Sequence, residues 1–305
     1  MFQGNKKYIV IFLVLLLWGA ALFVVERFSL LHTFPQEEHQ EELAQDDNFE
    51  EVNVEKVEMF QEEVIPEEEK IPFCGLFPCM DAQDFVDLFN LFERNAHLSF
   101  LRKYIFQDEL VDNYLRNLAE SRGYQQRGFA DPKKIIHFEN VETYPEVRDA
   151  YVRMRNEMMK EGIRLHFVSG YRSSTHQRTL IKNKLMGIQT ELIPSGIYDD
   201  LIDKMLKVSA LPGYSKHHTG YAVDFGCGDD YLVYSFASTN CYEWLSAENF
   251  ENAKRFGFIP SYPEGGRPQG PDPEPWEFVW VSPDILKNFS PKTLENTEEP
   301  LENGL

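Results

Sequence analysis

The sequence predicts an α+β domain, a small antiparallel sheet with flanking helices, preceded by one N-terminal transmembrane helix. Apolar residues recur at helical spacing after Tyr144-Pro145, and Gly162 ends that helix. Short alternating segments at 163–168 and 221–225 are typical of strands, and 278–281 is predicted to be a third strand. Helices and strands are thus mixed in one region, which favours the α+β class.

The transmembrane helix is predicted from the uncharged apolar run between Tyr8 and Val25. Its 18 residues span about 27 Å as a helix, enough to cross a hydrocarbon core. Lys6 and Lys7 precede it, so residues 1–30 are interpreted as a cytoplasmic stub and membrane anchor. A cleaved signal peptide is the alternative, with Ala20-Ala21 in its favour, but the run is long for one. Both interpretations place the rest of the chain outside the cytoplasm, attached to the inner membrane in the first case.

Charge is distributed unevenly along the 305 residues. The net charge of −20 argues against binding to nucleic acid, whose phosphates would be repelled. Residues 37–69 hold 15 carboxylates and one lysine, a net of −14. Such a segment cannot bury enough apolar surface to fold, so residues 31–72 are predicted to be a disordered tether. A disordered tail is predicted over 291–305.

The remaining chain is divided into a helical extension and a main domain. Residues 73–135 form the extension, because Phe85, Leu88, Phe89 and Phe92 recur at helical spacing. Residues 136–290 form the main domain, with a second helix over 177–185. The stretch 186–214 is predicted to be rich in loops.

Four cysteines fit an exported protein. Cys74 and Cys79 are five residues apart, and Cys227 and Cys241 are fourteen apart. Two disulfides within these near pairs are the simplest interpretation in an oxidising compartment. Three connectivities are open, and a four-cysteine zinc site and free buried thiols are the alternatives.

Candidate metal ligands lie in the stretch Ser215 to Asp224. His217 and Asp224 are seven residues apart, and Gly220 between them allows the chain to turn back. An imidazole and a carboxylate from short local chain are the donors that a hydrolytic metal site needs. Upstream, Arg172 follows a predicted strand, from which its guanidinium could stabilise an oxyanion. A surface arginine in a structural salt bridge is the alternative.

Three motifs together resemble those of the VanY-type D-alanyl-D-alanine carboxypeptidases, zinc peptidases with a DD-peptidase/hedgehog-like fold. The resemblance covers roughly residues 140 to 285. The motifs are Ser169-Gly170-Tyr171-Arg172-Ser173, Pro212-Gly213-x-Ser215-x-His217-x-x-Gly220-x-Ala222-x-Asp224 and Glu274-Pro275-Trp276.

The resemblance implies removal of the terminal D-alanine from peptidoglycan stem peptides, with a metal-bound water as nucleophile. His217 and Asp224 would be zinc ligands, Glu274 the general base and Arg172 the oxyanion-stabilising residue. It also implies substrate contacts by four further residues, Ser215, Gln177, Tyr171 and Trp276.

The chain departs from the family at Glu277, where the family has a histidine as third zinc ligand. A His-Asp-Glu set can hold zinc, but its extra carboxylate favours harder ions such as manganese. Three hypotheses follow: an active metallopeptidase, a non-catalytic stem-peptide-binding protein, or a site completed by His218 or His176. An endopeptidase that cuts cross-links is a further alternative.

Overall fold

A computed structural model describes residues 73–101 and 103–291. The predictions for residues 1–72 and 292–305, including the anchor, the tether and most of the tail, lie outside these residues. No helix within the described part is long and apolar enough to span a membrane.

The described strands are β1 Phe73–Cys74, β2 Phe77–Pro78, β3 Ile136–Phe138, β4 Val141–Thr143, β5 Leu165–Ser169, β6 Ala222–Cys227, β7 Asp230–Tyr231, β8 Phe258–Pro260 and β9 Glu277–Trp280.

Seven α-helices accompany these strands in the described residues. Three short 3₁₀-helices lie at Thr190–Ser195, Lys216–Thr219 and Tyr234–Ser238. The α-helices are α1 Ala82–Asn95, α2 Glu109–Ser121, α3 Pro145–Lys160, α4 Ser174–Lys184, α5 Asp199–Leu206, α6 Asn240–Lys254, which has non-helical backbone at 247–250, and α7 Pro283–Asn288.

The main sheet has the strand order β5-β6-β9-β8, with β7 paired to β6, and every pairing is antiparallel. Two separate hairpins, β1-β2 and β3-β4, complete the strands. The predicted α+β class with a small antiparallel sheet is therefore confirmed. The predicted strands differ from the observed ones by one or two residues at their ends. Strand β8 has no counterpart among the predicted strands.

Helix α3 packs on one face of the main sheet. It begins at Pro145, whose fixed φ suits the first helical position, and Gly162 follows its end with φ 76°. Its apolar side, including Tyr151 and Met154, forms a cluster with the sheet residues Phe225 and Phe278. Neighbouring strand residues point to opposite faces, so Asp224 and Glu277 lie on the other side.

Helix α1 covers that other face. Phe85, Leu88, Phe89 and Phe92 are all buried in a cluster with Ala222 of β6 and Val279 of β9. The capping box between Asp81 and Asp84 fixes the start of the helix. The helix of the extension therefore packs on the sheet face that carries Asp224 and Glu277.

The prediction of loops over 186–214 is wrong in part. The segment contains the 3₁₀-helix at 190–195 and helix α5. Ile202, Met205 and Leu206 of α5 are buried against α2 and α4. These apolar residues span only about one and a half turns, which is too short for their helical periodicity to predict the helix from sequence. Similarly, α4 begins at Ser174 rather than Gln177, because the Ser173 hydroxyl accepts a hydrogen bond from the His176 N–H.

Both predicted near-pair disulfides are present, Cys74–Cys79 and Cys227–Cys241. The first closes the β1-β2 hairpin, and the second joins the end of β6 to the start of α6. Among the described residues no cysteine is free. The alternatives of a four-cysteine zinc site and of free thiols are therefore wrong.

Candidate metal centre

Three buried side chains converge beside the neighbouring strands β6 and β9. The donor atoms of His217, Asp224 and Glu277 all lie within 4.8 Å of one another. His217 Nε2 is 3.4 Å from Asp224 Oδ2 and 3.3 Å from Glu277 Oε2. Each side chain is at most 5 % exposed. The predicted ligand set is thus brought together.

The sheet register places the two carboxylates. Asp224 and Glu277 are direct cross-strand partners in the antiparallel pair β6-β9, so their side chains share one face. His217 lies in the 3₁₀-turn before β6, and Gly220 connects the two with a left-handed φ of 76°. A Cβ at Gly220 would also approach the Tyr144 ring to 2.8 Å, so glycine is required there for two reasons.

The orientation of His217 is fixed by its second ring nitrogen. Nδ1 lies 2.6 Å from the Gly170 carbonyl oxygen, an acceptor, so we assign the proton there to Nδ1. Nε2 consequently faces the two carboxylates. A histidine that donates through Nδ1 to a backbone carbonyl and presents Nε2 is the arrangement usual for metal-ligating imidazoles.

The electrostatics of this cluster favour a positive charge among the three side chains. Burial opposes the charge on His217, but Asp224 and Glu277 outweigh it and raise its pKa to about 10. Burial also opposes ionisation of Glu277, yet its hydrogen bond to His217 and the positive charges nearby hold its pKa at about 2. In the metal-free protein a proton on His217 therefore neutralises one carboxylate.

The residues fit a divalent cation. Asp224 Oδ1 is buried and has no hydrogen-bond partner among the described residues, although a buried carboxylate oxygen normally has one. A cation bound between the three donors would satisfy this oxygen. One imidazole nitrogen and two carboxylate oxygens are ligands that zinc and manganese both accept.

Glu274 lies immediately before β9, in a turn closed by the hydrogen bond from the Glu277 N–H to the Glu274 carbonyl. Burial and the like charges of Glu277 and Asp224 raise its pKa to about 9. Its side chain borders a cleft of about 590 Å³ whose walls include Phe85, Tyr234 and Tyr262. Glu274 therefore adjoins both the ligand cluster and this cleft.

Arg172 is held by side chains rather than by a carboxylate. Its guanidinium donates to Gln177 Oε1 at 3.1 Å and to Ser169 Oγ at 3.3 Å. It forms no ion pair with any carboxylate of residues 73–101 and 103–291. The alternative interpretation, a structural salt bridge, is therefore not supported within these residues. Gln177 is buried, and its Nε2 donates to the Ala210 carbonyl at 2.6 Å, so this amide orients Arg172.

The other predicted substrate residues lie around the cluster. Ser215 is buried, and its carbonyl accepts a hydrogen bond from His218. Tyr171 is half-buried, with its N–H on the Glu142 carbonyl. Trp276 is buried with its ring edge-on to Tyr234 at 5.4 Å. Their contacts with substrate stay predictions.

Neither alternative histidine completes the ligand group. His218 Nε2 accepts a hydrogen bond from the Gly213 N–H, and Nδ1 lies 2.6 Å from the Arg172 carbonyl. Burial lowers its pKa to about 4, which suits this neutral ring stacked on Phe129. His176 is exposed on α4. Glu277 is the third member of the cluster that the structure forms.

Sequence reasoning missed Lys216 and Ser261. The Lys216 Nζ donates to the carbonyl and hydroxyl oxygens of Ser261, and the Ser261 hydroxyl donates to Glu277 Oε1. Lys216 is only 2 % exposed. The signal available in the sequence was a lysine directly before His217, within the stretch that carries two of the candidate ligands.

Comparisons with known proteins find relatives for the part of the chain that holds this cluster. Residues 140–283 match the family model described as VanY: D-alanyl-D-alanine carboxypeptidase. The Bacillus subtilis (strain 168) protein named "Putative carboxypeptidase YodJ" is 30 % identical over 145 residues, which are 47 % of each chain. The chain thus spans about half the length of this curated relative.

Solved structures show weaker overall similarity. The LdcB LD-carboxypeptidase is 26 % identical with a TM-score of 0.42, over 52 % of this chain and 72 % of that one. The D,D-pentapeptidase VanY from the VanB-type resistance cassette, in complex with Zn(II), is 24 % identical with a TM-score of 0.39, over 49 % and 79 %. Through residues 140–283, a little under half of its length, the chain is similar to the family described as VanY: D-alanyl-D-alanine carboxypeptidase.

Proposed function

We propose that this protein is a metal-dependent carboxypeptidase that removes the terminal D-alanine from peptidoglycan stem peptides. The observation that carries the proposal is the buried donor group of His217, Asp224 and Glu277, with Glu274 directly beside it. The family match over residues 140–283 supports the reaction class.

His217 Nε2 and one oxygen each of Asp224 and Glu277 would hold the cation, with zinc as the first candidate and manganese as the second. When bound, such a cation polarises a carbonyl group and lowers the pKa of water. Two anionic ligands offset its charge, which is the reason to include manganese.

Glu274 would accept the proton of the attacking water and pass it to the leaving amine. Its raised pKa suits this second step, because a carboxyl protonated near neutral pH is a competent acid. A cation in the site would lower that pKa toward neutrality and so permit the first step. Arg172, free of ion pairs to described carboxylates, would bind the substrate carboxylate or the developing oxyanion.

The test is D-alanine release from a stem pentapeptide ending in D-Ala-D-Ala. The full-length chain is stripped with EDTA and assayed with zinc or manganese added. Glu274→Gln should reduce release about 100- to 10,000-fold, the usual contribution of a general base. Glu243→Gln, an exposed carboxylate on α6, should not change it. A tetrapeptide and a cross-linked dimer as substrates separate other carboxypeptidase and endopeptidase activities. Peptide binding without release under any metal would refute the enzyme proposal.

A non-catalytic stem-peptide-binding protein is the second candidate, favoured by the substitution at Glu277. The variant Glu277→His distinguishes the two. If release is measurable only in this variant, the natural protein is a binder. If release is measurable in the natural protein and changes its metal preference in the variant, it is an enzyme with an altered ligand.

We further propose that residues 1–30 anchor the protein in the inner membrane, with residues 31–72 as a tether and the main domain outside the cytoplasm. The two disulfides support an oxidising compartment. Fractionation of the full-length chain and of a chain lacking residues 1–30 tests the anchor, and protease digestion of intact spheroplasts tests the topology. Recovery of the full-length chain in the soluble fraction, or its protection from protease, would contradict this proposal.

A further inference from the structure

A buried lysine adjoins the ligand cluster and has no role in the mechanism above. Lys216 is 2 % exposed and precedes the ligand His217. It forms no ion pair with a carboxylate in the described part of the chain. Its Nζ instead lies 2.6 Å from the Ser261 carbonyl oxygen, 2.9 Å from the Ser261 hydroxyl and 3.7 Å from the centre of the Tyr262 ring.

The hydrogen bonds run in one direction from Lys216 to Glu277. The Lys216 N–H groups donate to Ser261 Oγ, so the serine hydrogen is free to donate onward. It does so to Glu277 Oε1 at 2.5 Å. A carboxylate only accepts, so it is well matched to this position. An imidazole in the same place would present an N–H to a serine whose oxygen already accepts from Lys216.

The two oxygens of Glu277 therefore have different partners. Oε1 is held by Ser261, and Oε2 faces His217 Nε2 at 3.3 Å. The hydrogen bond from Ser261 orients the carboxylate so that its second oxygen, Oε2, points toward the position where a cation would bind. The Phe89 ring of α1 lies 5.7 Å from Lys216 Nζ, and Lys216, Ser261 and Glu277 are all buried, so these hydrogen bonds are shielded from bulk water.

We propose that Lys216 and Ser261 are positioning residues that adapt the metal centre to a glutamate at position 277, by holding Glu277 as a single-oxygen ligand. The inference rests on the proposed metal site and adds the two residues that orient its unusual ligand, Glu277. It implies that the contributions of Lys216 and Glu277 to metal affinity are coupled, so that replacing one residue removes the contribution of the other.

The test is a double-mutant cycle on zinc affinity. Zinc binding to the metal-free full-length chain is measured by calorimetry for the natural protein, Lys216→Met, Glu277→His and the double variant. Lys216→Met should weaken binding about 10- to 100-fold in the natural background, the usual effect of losing a residue that orients a ligand. In the Glu277→His background the same change should weaken binding by less than about 3-fold. Ser261→Ala should weaken binding in the natural background as well.

Lys254→Met is the matched control, because Lys254 is also fully buried but donates to the Pro78 carbonyl and to Asn249, away from the cluster. It should leave zinc affinity unchanged. Thermal unfolding in EDTA identifies variants that do not fold, and Lys216→Gln, which keeps an N–H donor, replaces Lys216→Met in that case with an intermediate loss expected.

An equal loss in both backgrounds, or no loss in the natural one, would overturn the inference. Failure of the natural protein to bind zinc or manganese would instead overturn the metal site itself. Zinc binding without D-alanine release would refute the enzyme proposal and leave this inference standing.

Discussion

The metal-free protein should become more stable when its proposed general base is removed. Glu274 lies half-buried beside Glu277 and Asp224, and together its partial burial and these like charges raise its pKa to about 9. In the unfolded chain the same carboxyl has an ordinary pKa of about 4.5. Folding at neutral pH must therefore protonate Glu274, which costs free energy. The substitution Glu274→Gln removes that cost.

The size of the effect follows from the two pKa values. At pH 7, which is about 2.5 units above the pKa of the unfolded carboxyl, that carboxyl is ionised. Protonating it costs about 1.4 kcal/mol for each of these units, or about 3 kcal/mol in all. Glu274 is half-buried, so we expect about 1–3 kcal/mol after allowing for solvent. Because the folded state binds more protons between pH 4.5 and 9, the natural protein loses stability relative to the variant as pH rises through this window.

Urea unfolding in EDTA at several pH values measures this difference. Glu274→Gln and the natural protein should have similar free energies of unfolding near pH 4, and the variant should exceed the natural protein by pH 7. Glu243→Gln should show no such trend. Parallel pH dependences of the natural protein and Glu274→Gln would refute the reasoning, since Glu274 would then be ionised in the folded state.

Three further predictions concern other groups. Arg127→Met should destabilise the fold by about 3–5 kcal/mol in urea unfolding, because Glu93, its buried partner at 2.8 Å, would be left unpaired; adding Glu93→Leu should recover part of this loss, and no recovery would argue against the pairing. Replacing Cys227 and Cys241 together by alanine should cost about 3 kcal/mol in the same assay, as expected for a loop of about 15 residues; a loss below about 1 kcal/mol would contradict this. Zinc binding at pH 7.5 should release between one and two protons. His217, with its pKa raised to about 10, must lose its proton to bind metal, and Glu274, with its pKa raised to about 9, loses part of its proton when the cation lowers that pKa. Affinity should therefore fall as pH falls, and calorimetry in buffers of different ionisation enthalpy measures the protons; release of none would refute the assignment.

The parts of the fold that the sequence predicted are those with a long or regular pattern. Helix α3 has four turns with a consistent apolar side and both of its ends marked, by Pro145 and Gly162. Strand β5 alternates between buried and half-buried residues over 165–168, and β6 and β9 are runs of at least three consecutive buried residues. Helix α5, with eight residues, and β8, with three, are too short for periodicity to identify.

The candidate site divides in a similar way. The spacing of His217 and Asp224 around Gly220 is local, so sequence alone could place the two ligands together. Glu277 was expected in the site by resemblance, and its cross-strand pairing with Asp224 explains physically how it gets there. The contact of Lys216 with Ser261 joins residues 45 positions apart, and the packing of α1 on the ligand face joins residues still more distant. No local pattern predicts such contacts.

The pairing of Asp224 with Glu277 also explains why this cluster needs an occupant. Like charges directly opposite each other in an antiparallel pair are destabilising, and here both are buried. The hydrogen bonds of β6 and β9 hold the two carboxylates at this separation regardless, so the repulsion must be balanced by a positive charge between them. In the metal-free protein the proton on His217 supplies it, and a divalent cation would supply more. The strand register therefore favours cation binding, because it keeps the two carboxylates close together. Lys216, through Ser261, determines which oxygen of Glu277 takes part.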